Sequence, residues 1–301
     1  MTDTILVPLD GSELAEQALP HAAALARALA VPVTLARVPE SVVVPVVSAG
    51  IWITHEVEAA EAREQAEAYL SALAESPVFE GITVGHAIPS VPVAAGLLDI
   101  IEAEQPQLVV MTTHGRSGLQ RVLLGSVADK LVRSSPAPVY LVRASETPPE
   151  PRFDRILVPL DGSELSRAAL GPATELARAT GASLLLVRVP TVPGYTTVIP
   201  ENAGMIPALL REETLHAGEY LERLAQPLRD AGLTVDTEAA VVMAGTVAEG
   251  LLTAAQDQSA GLIMMTTHGR SGIGRWLFGS VADGIVRHAE VPVWLIRSRR
   301  D

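Results

Sequence analysis

The chain has 301 residues, no cysteine and a formal charge of −13. Without cysteine there are no disulfides or thiolate metal sites. The balance of 8 basic against 18 acidic residues in 1–150, and 14 against 17 in 151–301, excludes the cationic face that a nucleic acid requires. No apolar stretch reaches the roughly 18 uninterrupted residues of a membrane span, and the run after Met1 lacks the basic and apolar regions of a signal peptide, so a soluble cytoplasmic protein is expected.

In chain order, Thr4–Pro8 is a short apolar run closed by Asp10-Gly11, which predicts a buried strand feeding a turn. Ser12–Ala30 carries Leu14, Ala18, Leu25 and Leu29 at helical spacing and predicts one helix kinked at Pro20. Val33–Val38 predicts a second strand, and the apolar run Val42–Ile53, with Pro45 and Gly50 inside it, reads as a loop or lid. A charged, Ala-rich helix is expected over Glu56–Ala74, a strand over Ile82–Ile88, a helix over Val93–Glu104 and a strand over Leu108–Met111. A short helix Ser126–Arg133 and a strand Val139–Val142 close the half. The second half repeats the order with Ile156–Pro159, Leu165–Thr180, Leu184–Val189, Pro207–Ala231, Val235–Ala239, Val247–Gln256, Leu262–Met265, Ser280–His288 and Val293–Ile296. Strands alternating with helices imply a parallel sheet covered on both faces.

The halves are copies. Residues 5–14 and 156–165 both read ILVPLDGSEL, and Thr112–Arg133 returns at Thr266–Arg287 with 16 of 22 positions identical. A period near 150 residues is that of whole domains, 1–144 and 153–301, joined by a linker at 145–152. The linker lies in the proline-rich stretch ASETPPEPR and is short and fairly stiff. The apolar last strands, VYLV and VWLI, would be edges needing cover, and pairing between the two copies would supply it.

The repeated segment carries residue types suited to turns and anion contacts. Gly115 and Gly118 let the backbone bend and approach a ligand, and Gly125-Ser126 opens a helix whose first amides lack internal partners. Those amides, the helix dipole and the Ser126 hydroxyl form a phosphate site, with Arg116 as a charge-assisted contact. Gly269, Arg270, Gly272, Gly279 and Ser280 repeat the arrangement. In the first half, four of the eight basic residues, Arg116, Arg121, Lys130 and Arg133, cluster around this motif. Arg133 also suits a dipole partner at a helix C-terminus. Asp10 and Asp161 either accept a hydrogen bond from a base or ribose, or form an Asx-turn or N-cap at the first helix, with Glu13 completing a capping box. His114 and His268 have no carboxylate partner in the pattern and read as loop hydrogen-bonders rather than catalysts.

Several enzyme classes lack their signatures. The single lysine, Lys130, does not stand in a P-loop, and no G-x-G-x-x-G follows the first strand. Neither H-E-x-x-H nor G-x-S-x-G occurs.

With these motifs both halves resemble universal stress protein domains, and the chain is similar to a tandem member of that family. The family's nucleotide-binding pattern, G-x2-G-x9-G-[ST], is matched by Gly115, Arg116–Leu124 and Gly125-Ser126, and by Gly269, Arg270–Phe278 and Gly279-Ser280. Its first glycine is replaced by Thr112 and Thr266, which brings a β-branched side chain to the ribose position. The resemblance implies two Rossmann-like domains, each a five-stranded parallel sheet of order 3-2-1-4-5 with helices on both faces. It implies ATP as ligand, with Mg2+ carried by the phosphates rather than by protein ligands. Asp10 and Val38, or Asp161 and Val189, would face the adenine, beside Pro8 and Leu9 or Pro159 and Leu160. Met111 and Thr112, or Met265 and Thr266, would flank the ribose. Gly115, Gly125, Ser126 and Val127 would hold the phosphates, with Gly279, Ser280 and Val281 as counterparts, beside the loop residues His114, Arg116 and Gly118 or His268, Arg270 and Gly272. The expected role is a nucleotide-dependent sensor or regulator with at most slow hydrolysis, dimerising through the last strand. The alternative is an interaction module of the same fold that binds no nucleotide.

Overall fold

Short apolar runs, too brief for helices and bounded by Gly, Asp or Pro, supply the strands of both units of this protein, Met1–Glu150 and Pro151–Asp301. The computed structural model describes residues 2–39, 46–48, 51–53, 56–89, 92–114, 124–191, 206–242, 245–267 and 279–297. The first unit contains β1 (Thr2–Leu9), β2 (Val33–Arg37), β3 (Val46–Ser48), β4 (Ile51–Ile53), β5 (Val84–Ala87), β6 (Pro106–Thr112) and β7 (Val139–Val142). Five of these lie in the order β5-β2-β1-β6-β7, and every pair is parallel. In the second unit β8 (Arg155–Pro159), β9 (Ser183–Arg188), β10 (Val235–Ala239), β11 (Leu262–Thr266) and β12 (Val293–Ile296) take the order β10-β9-β8-β11-β12, again all parallel. Both are the 3-2-1-4-5 arrangement of a Rossmann-like domain. Ile5, Leu6 and Val7 of β1, Leu108 to Val110 of β6 and Ile156 to Val158 of β8 are completely buried, the continuous apolar pattern of strands covered on both faces.

The helices are α1 (Glu13–Glu16), α2 (Leu19–Leu29), α3 (Glu56–Ala74), α4 (Val93–Glu104) and α5 (Ser126–Ser134) in the first unit. In the second they are α6 (Glu164–Arg167), α7 (Leu170–Thr180), α8 (Ile206–Asp230), α9 (Val247–Asp257) and α10 (Ser280–His288). The single kinked helix expected over Ser12–Ala30 is in fact two. Pro20 stands in the first turn of α2, where a missing N–H costs nothing, so it starts a helix rather than bending one. Leu165–Thr180 divides in the same way into α6 and α7. The loop expected over Val42–Ile53 contains an antiparallel hairpin, with Val46 opposite Ile53 and Ser48 opposite Ile51. β-branched Val and Ile on both sides of Gly50 favour that pairing.

The connector is held against the first unit by two side chains one helical turn apart. Gln17 donates its amide to the Ser145 carbonyl at 2.8 Å and accepts the Ser145 N–H at 3.1 Å. His21 is fully buried, with Nε2 2.8 Å from the Pro149 carbonyl and Nδ1 3.1 Å from the Tyr140 hydroxyl on β7. A carbonyl can only accept, so Nε2 carries the proton and Nδ1 takes the tyrosine's. Burial lowers the His21 pKa, and the bond to Pro149 only partly opposes this. In the second unit Ala168 and Pro172 stand where Gln17 and His21 do, so the fastening belongs to the first copy alone.

The neutral imidazole links stability to pH. A histidine whose folded pKa lies below its unfolded value contributes fully above about pH 6.5 and progressively less as the pH falls toward the folded value. Denaturant unfolding from pH 7.5 to 5 should therefore show a loss of stability on acidification that is smaller in His21→Gln. At pH 7.5, His21→Ala removes the acceptor of the Tyr140 hydroxyl and the donor to Pro149, and is expected to cost about 2–3 kcal/mol.

Candidate functional site

The crevice of each unit opens where the strand order reverses. From β1 the chain crosses to β2 on one side, and from β6 to β7 on the other, so the carboxyl ends of β1 and β6 border a cleft. β8 and β11 do the same in the second unit. In the first unit Pro8 and Leu9 end β1, Asp10 follows, Val38 follows β2, and Met111 and Thr112 end β6. Gly125 is the N-cap of α5, and Ser126 and Val127 form its first turn.

Asp10 shapes the exit of β1. Its Oδ1 accepts the Ser12 N–H at 2.9 Å and the Ser12 hydroxyl proton at 2.6 Å, while Ser12 Oγ accepts the Ala15 N–H at 3.2 Å. The aspartate is thus the head of an Asx-turn, and the N-cap is the serine two residues later. The expected capping box is not formed, because Glu13 is the first helical residue rather than the third. Asp161 and Ser163 repeat the turn, with Asp161 accepting the Ser163 N–H at 2.9 Å and Ser163 capping at the Ser166 N–H at 3.0 Å.

At the end of β6 the threonines are committed locally. Thr112 is 6% exposed and donates its hydroxyl to the His114 carbonyl at 2.7 Å. Thr113 Oγ1 accepts the Ala144 N–H at 3.3 Å and lies 3.0 Å from His114 Nδ1. The other ring nitrogen, His114 Nε2, is buried and without a partner among the described residues. Burial, followed by the charge of Arg143, lowers the His114 pKa, which favours the neutral ring.

The Gly-Ser helix starts are built alike. Neither Gly125 nor Gly279 is accompanied by a side-chain cap, so the first-turn amides of α5 and α10 keep their donors for another partner. A Cβ on Gly125 would lie 3.1 Å from the Thr113 carbonyl oxygen, to which the Gly125 N–H bonds at 2.8 Å. On Gly279 it would lie 3.7 Å from the Thr267 carbonyl, an ordinary contact. Arg133 pairs with Asp129 at 2.8 Å, and Arg287 with Asp283 at 2.7 Å, one turn away on the same helices.

In the second unit these elements enclose a cavity of about 240 Å³. Nine expected residues line it: Pro159, Leu160, Asp161, Val189, Met265, Thr266, Gly279, Ser280 and Val281. His268, Gly269, Arg270 and Gly272 lie outside the described residues, as do Gly115, Arg116 and Gly118. Ser166, Val247, Leu251, Thr267 and Ala282 also line the cavity and were not anticipated. For Thr267 and Ala282 a signal existed, since both lie inside the repeated segment; Val247 and Leu251 look in the sequence like any apolar helix face. Among the described residues no cluster of His, Asp or Glu could hold a metal ion, and no helix is long and apolar enough to cross a membrane.

Comparison with known proteins points the same way. The model of the Universal stress protein family matches residues 1–143 and again 152–297. A universal stress protein of Mycolicibacterium smegmatis is 30% identical over 98% of this chain and 97% of its own length. One from Mycobacterium tuberculosis is 30% identical over 65% of this chain, and the match spans 63% of that relative, less than two thirds of its length. A universal stress protein from Archaeoglobus fulgidus has a similar fold, with a TM-score of 0.71 over 99% of both chains at 21% identity.

The two glycine positions differ in a way that unfolding resolves. Gly125→Ala, crowded by the Thr113 carbonyl, is expected to cost about 1 kcal/mol or more. Gly279→Ala should stay within about 0.5 kcal/mol of the parent when both are compared by urea denaturation.

Proposed function

The chain belongs to the universal stress protein family, and from that premise we propose that it binds ATP, with Mg2+ on the phosphates, as a nucleotide-dependent regulator rather than a turnover enzyme. The observation that carries this reading is the cavity of the second unit, where residues from β8, β9, β11 and α10 that are far apart in sequence meet around one space. Asp161 and Val189 would receive the base, Met265 and Thr266 the ribose, and the open amides of α10 with Ser280 the phosphates. The cavity fits this assignment: its walls are mainly apolar, with the carboxylate of Asp161 and the hydroxyl of Ser280 among the polar groups. In the first unit the same positions recur at the ends of β1 and β6 and the start of α5. Bound nucleotide would supply phosphate charge; the protein supplies orientation and backbone donors. The family's homodimeric association belongs to the same reading, and sedimentation velocity with and without ATP tests it.

The alternative, a module of the same fold without nucleotide, is favoured by Thr112 and Thr266, whose side chains take the place of the pattern's first glycine in the two units.

Calorimetric titration of the full chain with ATP and Mg2+ decides between them. ATP should bind, and Val189→Trp, which fills the base end of the second cavity, should weaken that site at least tenfold. Replacing Gly115 and Gly269 together by valine should weaken both sites. No binding by the parent at millimolar ATP, or unchanged affinity in these variants, overturns the proposal.

A further inference from the structure

The two copies differ where the helix after the glycine motif meets the helix before β6 or β11. α10 carries Gly284 in the position that α5 fills with Lys130, the only lysine of the chain. A Cβ on Gly284 would lie 2.7 Å from Ala248 Cβ on α9, closer than two methyl carbons can approach. On the same helix Gly250 presses against Val242 and Val189, so that a Cβ there would collide with Val242 and lie 3.3 Å from Val189. α9 is therefore seated by two glycines, one on itself and one on α10. Its Val247 and Leu251 line the cavity beside Val189. In the first unit Gly96 keeps the place of Gly250, but Lys130 is exposed on α5 and the neighbouring helix is less enclosed. Ala94 is only half-buried and Val93 is 37% exposed, whereas Ala248 is 6% exposed and Val247 is half-buried.

We infer that Gly284, through its contact with Ala248, positions α9 as the base-end wall of the second site, so that the duplicated sites select different ligands. The second site is narrow and apolar along Val247, Leu251 and Val189 and admits an adenine nucleotide with an unsubstituted base. The first, with Lys130 in place of the glycine, lacks this closure and accepts a nucleotide bearing a bulky group on the base. Gly284 is a positioning residue, acting through α9 without touching ligand. The inference rests on the nucleotide reading above for its ligand class, but its structural premise does not.

The test has a ligand-free arm and a ligand arm, both on the full chain. Inside a helix Gly→Ala ordinarily raises the melting temperature, because it reduces the freedom of the unfolded chain. Gly284→Ala should instead lower it and should speed amide exchange over Val247–Leu251, and adding Ala248→Gly should restore part of the loss. A higher melting temperature for Gly284→Ala, or strictly additive effects of the two changes, overturns the contact whatever the ligand. For the second arm, Val38→Trp fills the first site, and ATP and N6-benzyl-ATP are titrated into this chain with and without Gly284→Ala. The ratio of affinities should shift toward the benzyl analogue at least tenfold in the glycine variant. An unchanged ratio with ATP binding intact overturns the selectivity. If neither nucleotide binds the unmodified chain, the nucleotide reading fails and with it this choice of ligand, while the thermal and exchange results still decide whether Gly284 seats α9.

Discussion

In each unit two parallel strands lie side by side at the centre of the sheet, and the chain leaves them toward opposite edges. Right-handed crossovers then put the following helices on opposite faces, and no helix covers the ground between the strand ends. The function proposed for this protein depends on that gap. The strand ends bring Asp10 or Asp161 and Met111 or Met265 to its floor, and the Gly-Ser turn that opens α5 or α10 closes it from one side. The uncapped amides of those helices face it because the sheet fixes the strand end that precedes them, as the bond from the Gly125 N–H to the Thr113 carbonyl shows. Under the proposed function the phosphates would be met by backbone held in one place rather than by a special side chain.

Duplication supplied that arrangement twice, and the copies then separated in what surrounds it. The ILVPLDGSEL segment is unchanged, and its Asx-turn is built alike in both units, with the aspartate accepting the serine N–H at 2.9 Å in each. Around it, Glu16 of the first unit accepts the Tyr69 hydroxyl at 2.7 Å, while Arg167 stands at that position in the second and pairs with Glu164. Tyr220, which like Tyr69 lies beneath an arginine, has Ser166 rather than a glutamate as the side chain beside its hydroxyl. Gln17 and His21 fasten the connector to the first unit, and Ala168 and Pro172 stand at their positions in the second. Selection acted on a frame that both copies share and on neighbours that each uses differently.

Thr112 illustrates how a departure from a pattern is absorbed. A threonine at a glycine position need not obstruct the cleft if its hydroxyl finds a partner in the loop, and Thr112 finds the His114 carbonyl at 2.7 Å. That bond turns the polar end of the side chain toward the loop. The backbone of the strand end keeps its register, with Thr112 paired to Val142.

The sequence by itself determined the five parallel strands of each unit, the duplication and the starts of the helices that open on the Gly-Ser pairs. Each of these is written locally, in runs such as ILVP, in Gly-Ser pairs and in repeated segments. Local pattern marked Asp161, Gly279 and Ser280 of the second cavity, at a strand exit and a helix start, and the family resemblance supplied the other six expected residues that line it. Local pattern erred where two structures share one periodicity: the split at Pro20 reads like a kink, and the hairpin of β3 and β4 like a loop. Tertiary structure alone decided which side chains meet across long separations. His21 and Pro149 are 128 residues apart, and nothing near either one announces the other. The same holds for Val247 and Leu251, apolar positions on an ordinary helix that became a cavity wall because two glycines let α9 come close. Periodicity reports that a residue is buried; only packing decides what it is buried against.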